Sequence, residues 1–342
     1  MKAIIYDKLG GPEVLQYKEV EAPTKNDVTI KLAFASINHT DIHFRRGLPG
    51  MKSPLPHIPG CDGAGIVEEV SSTSTELQVG DRVAINPTIY CYNCEFCKRG
   101  DLYLCKNEKL VGREISGTYA EYISVPKDNV IKLPKNFDLQ IAAASPLVYQ
   151  TAYAMVVTKG KLEQNQTVLV MGAGSGVGMA AIQIAKHIGA TVITTASTED
   201  KCAKALDALH ADHVIQYTKE NLKEHVKALT EKQGVDVIID HVGGSQWTDL
   251  LTLLKNGGKL VTCGATAGYN PTIDLRHVFF RQLQILGSTM ASPEDMQKVM
   301  NLIFENKITP HIDQVFPLAQ VYQAHQHIED RRVFGKVLLA IS

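Results

Sequence analysis

The chain has 342 residues, 44% of them hydrophobic and 21% charged, enough for two domains with cores of their own. Lys and Arg number 35 against 36 Asp and Glu, a formal net charge of -1 with no basic block, so no nucleic-acid partner is expected. No stretch approaches a membrane-spanning run of about 20 apolar residues, and the opening MKAIIYDKLGGPEVLQY reads as strand and turn rather than a signal peptide. A cytoplasmic protein that neither spans nor sits on a membrane is the expectation.

Up to about residue 145, short β-rich segments alternate with Gly- and Pro-punctuated turns: 28–37, 63–70, 80–85 and 117–125. This half reads as a small barrel, all-β or α+β. It contains four of the seven cysteines, Cys91, Cys94, Cys97 and Cys105. In a reducing compartment such a cluster points to metal before disulfide. Four thiolates at this spacing suit one tetrahedral structural zinc per chain, with no coordination position left for a substrate. An iron–sulfur cluster uses the same ligand chemistry and stays open as an alternative.

From about 165 the pattern becomes strand, turn, helix, repeated roughly two dozen residues apart. Strands are expected at 167–171, 191–195, 213–217, 235–240, 259–264 and 283–288, with amphipathic helices at 178–189 and 199–210. That alternation predicts an α/β fold, a doubly wound parallel sheet covered on both faces. The first strand runs into GAGSGVG (172–178) and then a helix, where glycines allow close approach to a pyrophosphate and the helix N-terminus offers free N–H groups. Ser175, Gly176, Val177 and Gly178 are the candidates at this turn. After the second strand the chain reads ASTEDK, with no carboxylate at its end. An acidic residue there would select NAD; small hydroxyl residues such as Ser197, with Lys201 nearby, suit the 2′-phosphate of NADPH over NADH. The tail ends in a strand-like segment that is expected to return to the first half.

With these motifs in place, the chain resembles the medium-chain dehydrogenase/reductase family from end to end. The cysteine spacing is similar to the structural zinc lobe of zinc alcohol dehydrogenases. GGPEVL (10–15) and PLVYQTAY (146–153) are closer to the quinone oxidoreductase branch. The resemblance implies a GroES-like catalytic domain (1–145 and 290–342, lobe at about 91–105) and a Rossmann domain (146–289). It also implies that the catalytic metal is gone. The three positions that carry zinc ligands in the family's alcohol dehydrogenases hold Asn38, Cys61 and Leu147 here. Thr40 and His43 match the family's proton relay, and Thr151 a residue packing on the nicotinamide. Tyr217 and Arg331 match residues around the 2′-phosphate, and Lys336 a cation facing the pyrophosphate.

The expected function is NADPH-dependent hydride transfer to a quinone or an α,β-unsaturated carbonyl (enone, enal or enoyl thioester). Such a substrate spreads its charge into an enolate that hydrogen bonds can support without a Lewis acid. Asn38 and Thr40 are the candidate donors and His43 the candidate proton relay. Two alternatives stand beside it: an alcohol dehydrogenase with a Cys61-centred metal, and a non-catalytic NADPH-binding protein. The strand at 283–288 is a candidate edge for pairing into a homodimer or homotetramer.

Overall fold

The computed structural model describes residues 1–48, 54–71 and 76–341. They form two compact units, residues 1–147 with 312–342, and residues 148–311. No helix among them is long and apolar enough to cross a membrane.

The first unit is built on a seven-stranded sheet. Its order is Ile312–Pro317, Lys336–Ala340, Val28–Ile37, Asp62–Val70, Arg82–Ile85 and Val130–Lys132, with Tyr122–Val125 also paired to Val28–Ile37. The central strand VTIKLAFASI carries Val28, Ile30 and Leu32 on one face, all fully buried, as a period of two requires. Val67, Val83, Ile85, Val111, Ile123 and Val125 complete that core. On the other side Ala35, Ile37, Val337 and Leu339 pack with the helix Val321–Glu329. The tail does return: Lys336–Ala340 pairs antiparallel to the central strand with Val337 opposite Ile37. That register brings Lys336 to the level of Asn38.

The second unit is a six-stranded sheet, parallel throughout, in the order His213–Gln216, Thr191–Ala196, Thr167–Val170, Val235–Asp240, Leu254–Thr262 and Gln284–Gly287. All six expected strands are present. The strand order reverses between Thr167–Val170 and Val235–Asp240, where ligands bind sheets of this kind. The unit extends further than expected. Residues 290–311, assigned from the sequence to the first domain, group with the second. Helix Pro293–Phe304 is tied in by Thr158 Oγ1 donating to Asp295 Oδ2 (2.7 Å), and the segment after it by Gln183 Nε2 donating to the Thr309 carbonyl (2.8 Å). The chain leaves for the first unit at residue 312.

Candidate active site

The four-cysteine lobe is formed by short turns. Cys94 caps the helix Glu95–Lys98 and Cys105 ends the 3-10 turn Leu102–Leu104. All four Sγ atoms lie within 4.8 Å of one another, with Cys91–Cys97 at 3.9 Å, Cys94–Cys97 at 3.5 Å and Cys91–Cys105 at 3.4 Å. Four thiolates bound at about 2.3 Å to one tetrahedral ion stand about 3.8 Å apart. The lobe therefore fits a single zinc ion, and a multi-iron cluster would hold its thiolates farther apart. The backbone N–H groups of Cys91 and Cys94 donate to Cys105 Sγ and Cys91 Sγ, both at 3.4 Å, favouring the thiolate form a metal needs.

At the glycine-rich turn, Gly172 sits at φ +70 and Gly178 packs so closely that a Cβ would stand 2.1 Å from the Gly172 carbonyl oxygen. Ser175 caps the helix Gly176–Ile188: its Oγ accepts from Gly178 N (2.9 Å) and bonds to the Gly172 carbonyl (3.0 Å). Two residues not expected from the sequence hold the turn in place. Thr195 Oγ1 accepts from Gly172 N at 2.9 Å, and His241, just past Val235–Asp240, places Nε2 2.8 Å from Ser175 Oγ. Burial brings the His241 imidazole down to about 4, so it is neutral at pH 7. Its Nδ1 is buried without a hydrogen-bond partner. An unfilled polar atom beside a helix N-terminus at the strand-order reversal is what a dinucleotide site presents.

Ser197 follows the last residue of Thr191–Ala196, and its carbonyl accepts from Thr218 Oγ1 at 2.8 Å. Thr198 caps the helix Glu199–Asp207 by accepting from Lys201 N at 3.3 Å. Tyr217 donates its N–H to the Ala196 carbonyl at 3.2 Å and leaves a half-exposed side chain. Ser197, Lys201 and Tyr217 are thus gathered at the carboxyl ends of neighbouring strands. Thr151, buried on the helix Pro146–Tyr153, belongs to the same unit. Arg331 is an exposed residue of the first unit at φ +58.

The positions of the missing metal ligands are joined by a buried polar cluster. Asn38 caps the helix His39–Arg46; its N–H donates to Asp41 Oδ2 (2.8 Å), which also accepts from Tyr119 OH (3.0 Å). Asn38 Nδ2 donates to Asp62 Oδ2 at 2.9 Å, and Asp62 Oδ1 accepts from the Leu147 backbone N–H at 2.9 Å. Lys336 Nζ donates to Asn38 Oδ1 at 2.6 Å and to the Ile37 carbonyl at 3.2 Å, and lies 3.8 Å from Asp62 Oδ2. Burial raises Asp62 to about 6 despite the opposing ammonium of Lys336 and the Asn38 bond. Burial also raises Asp41 and lowers Lys336. Cys61 is pushed well up, by burial first and then by Asp41 and Asp62, so it stays a thiol.

Lys336, matched from the sequence to a cation facing the pyrophosphate, is 2% exposed and donates to Asn38 and the Ile37 carbonyl within the first unit. One amide hydrogen of Asn38 is committed to Asp62, which leaves the other for a substrate. Leu147 has no ligand atom, and Asn38 is closed by an ammonium. Among the described residues only the four cysteines of the lobe bring three or more potential ligand atoms together. The Asn38, Cys61, Leu147 set therefore does not fit a catalytic metal. Thr40 and His43 stand three residues apart on His39–Arg46, on one helix face and both half-buried. Burial, and then Arg46, lowers His43 below the usual imidazole range.

Known proteins match the chain in both halves. Residues 24–135 match the alcohol dehydrogenase GroES-like domain and residues 176–305 the zinc-binding dehydrogenase family. An NAD-dependent alcohol dehydrogenase of Sulfolobus acidocaldarius is 31% identical over the whole of both chains. A human quinone oxidoreductase is 29% identical over 100% of this chain and 98% of its own. A crystal structure of an NAD-dependent alcohol dehydrogenase superposes with a TM-score of 0.95 at 42% identity, over 100% of each chain.

Proposed function

Since the chain belongs to the medium-chain dehydrogenase/reductase family of oxidoreductases, we propose that it reduces a quinone or an α,β-unsaturated carbonyl with NADPH and without a catalytic metal. The observation that carries this reading is Lys336 on Asn38 and Asp62, filling with an ammonium the place a Lewis acid would need.

A nicotinamide dinucleotide supplies the hydride. Ser175, Gly176, Val177 and Gly178 would hold its phosphates at a helix N-terminus. Ser197, Lys201 and Tyr217 offer hydroxyl and cationic groups and no carboxylate for its adenosine ribose, the chemistry that accepts a 2′-phosphate. On the substrate, hydride adds at the β-carbon, the alkene electron pair moves toward the carbonyl oxygen, and the α-carbon later takes a proton. A quinone takes the same hydride and proton to become a hydroquinone. The chain's part is to hydrogen-bond the oxygen as it gains charge and to deliver the proton. For the first we assign Thr40 and the Asn38 amide hydrogen that Asp62 does not hold; for the second we assign His43, whose neutral imidazole can take up a proton on one ring nitrogen as it passes on the proton of the other.

The names of the similar alcohol dehydrogenases favour a second reading, NAD-linked alcohol oxidation. One experiment separates the two. Oxidation of NADPH and NADH is followed over quinones, enals, enones and enoyl-CoA esters, and reduction of NADP and NAD over simple alcohols, with zinc measured on the same sample. Conjugated carbonyls turned over with NADPH at one zinc per chain support the proposal. Alcohol oxidation at two zincs per chain overturns it.

A second copy of the chain is the partner we assign. The strand Gln284–Gly287 is one of the two edges of the parallel sheet, and Phe279 and Phe280 just before it are 60% and 76% exposed.

A further inference from the structure

A buried ammonium is costly unless its partners are well placed, and the partners of Lys336 are unusual. Its shortest contact, 2.6 Å, is with the neutral amide oxygen of Asn38, while the carboxylate of Asp62 stands 3.8 Å away. The amide lies between the two charges: ammonium on its oxygen, carboxylate on its nitrogen at 2.9 Å. Lys only donates and an ionised carboxylate only accepts, so the amide can have one orientation. The ammonium on its oxygen pulls electron density from nitrogen toward oxygen and makes the N–H groups stronger donors. One hydrogen is spent on Asp62. The other meets only the Ser36 carbonyl at 3.5 Å, the outer limit of a hydrogen bond. Two residues earlier in the chain, the Ser36 hydroxyl is fully buried and has no hydrogen-bond partner. The cluster thus holds donor capacity that the protein's own atoms do not use.

We infer that Lys336 is a positioning residue that polarises the Asn38 amide as a donor to the substrate's developing oxyanion. The inference rests on the proposed carbonyl reduction. The ammonium acts through Asn38 and does not touch the substrate.

The test uses the intact protein in four forms: wild type, Lys336→Met, Asn38→Ala, and the two changes together. Lys336→Met is expected to lower kcat about 10–100-fold, with little change in the KM of either substrate. If Lys336 works through Asn38, the same change costs less than about threefold once Asn38 is Ala. Equal losses in both backgrounds overturn the inference. Because Lys336→Met strands the Asp62 charge, a neutral variant, Lys336→Met with Asp62→Asn, checks the fold. It should melt near the wild type yet stay slow; recovery of kcat would show that Lys336 only balances charge, and the inference would fall. Lys336→Arg should restore part of the rate. An activity-independent reading comes from the Asn38 side-chain amide ¹⁵N resonance in unliganded protein. It should move on Lys336→Met, and an unmoved resonance would also overturn the inference. If the wild type oxidises alcohols and ignores conjugated carbonyls, the proposed function fails. The resonance and the coupling, read on the alcohol reaction, still judge Lys336 separately.

Discussion

Leu147 gives no side-chain atom to a metal, but its backbone N–H holds Asp62, and through Asp62 the whole cluster of Asn38, Lys336 and Asp62 is fixed. The folded carboxyl of Asp62 titrates near 6 against an ordinary 3.8. The sign follows from proton counting. Between about pH 4 and 6 the folded chain keeps a proton that the unfolded chain has lost, so Asp62 lowers stability as pH rises through that window. That rise corresponds to about 3 kcal/mol. Wild type should therefore lose stability relative to Asp62→Asn between pH 4 and 6, measured by denaturant unfolding; a constant difference would refute the buried-acid account. At the adenosine end Ala196 is buried, so a test charge belongs at half-buried Ser197. Ser197→Asp should weaken NADPH binding about 10–100-fold by repelling the 2′-phosphate, while NADH binding changes little. A wild type that binds NADH more tightly in fluorescence titration would remove the basis for assigning Ser197, Lys201 and Tyr217.

The zinc lobe consists of two short helical turns around four thiolates. Elements of three or four residues have little stability of their own, so the ion does the folding there. Cys94→Ser should release about one zinc per chain and make 91–105 the first segment cut by protease. NADPH affinity should stay within about threefold, because the turn at Gly172–Gly178 belongs to the other unit. Metal analysis and limited proteolysis read both outcomes, and unchanged zinc content would refute the four-thiolate site.

For the whole molecule, an edge strand of the parallel sheet offers a partner its unpaired backbone groups. The edge strand Gln284–Gly287 exposes Ile285 and follows Phe279 and Phe280. Wild type should sediment as a dimer or a dimer of dimers, and Ile285→Lys should shift it toward monomer without lowering the unfolding temperature of the chain. A wild-type monomer at micromolar concentration would refute this assembly.

The βα alternation, the glycine turn and the cysteine spacing were legible in the sequence because each is a local pattern, set by side-chain period, backbone freedom or ligand spacing. That Leu147 offers no side-chain ligand atom was legible too. The role of Lys336 was not. It lies 298 residues from Asn38, and only the antiparallel register of Val337 on Ile37 brings the two together. The placing of 290–311 was equally hidden, because helix Pro293–Phe304 is amphipathic by itself and either unit could have buried its apolar face. The tertiary contacts of Asp295 and Thr309 decided that choice. Thr195 supports the glycine turn from the neighbouring strand and His241 from just past Val235–Asp240, and no local pattern marks a residue whose task is to hydrogen-bond another turn. Pairing of distant segments decided which charge is buried against which amide, and so what stands at the metal's place.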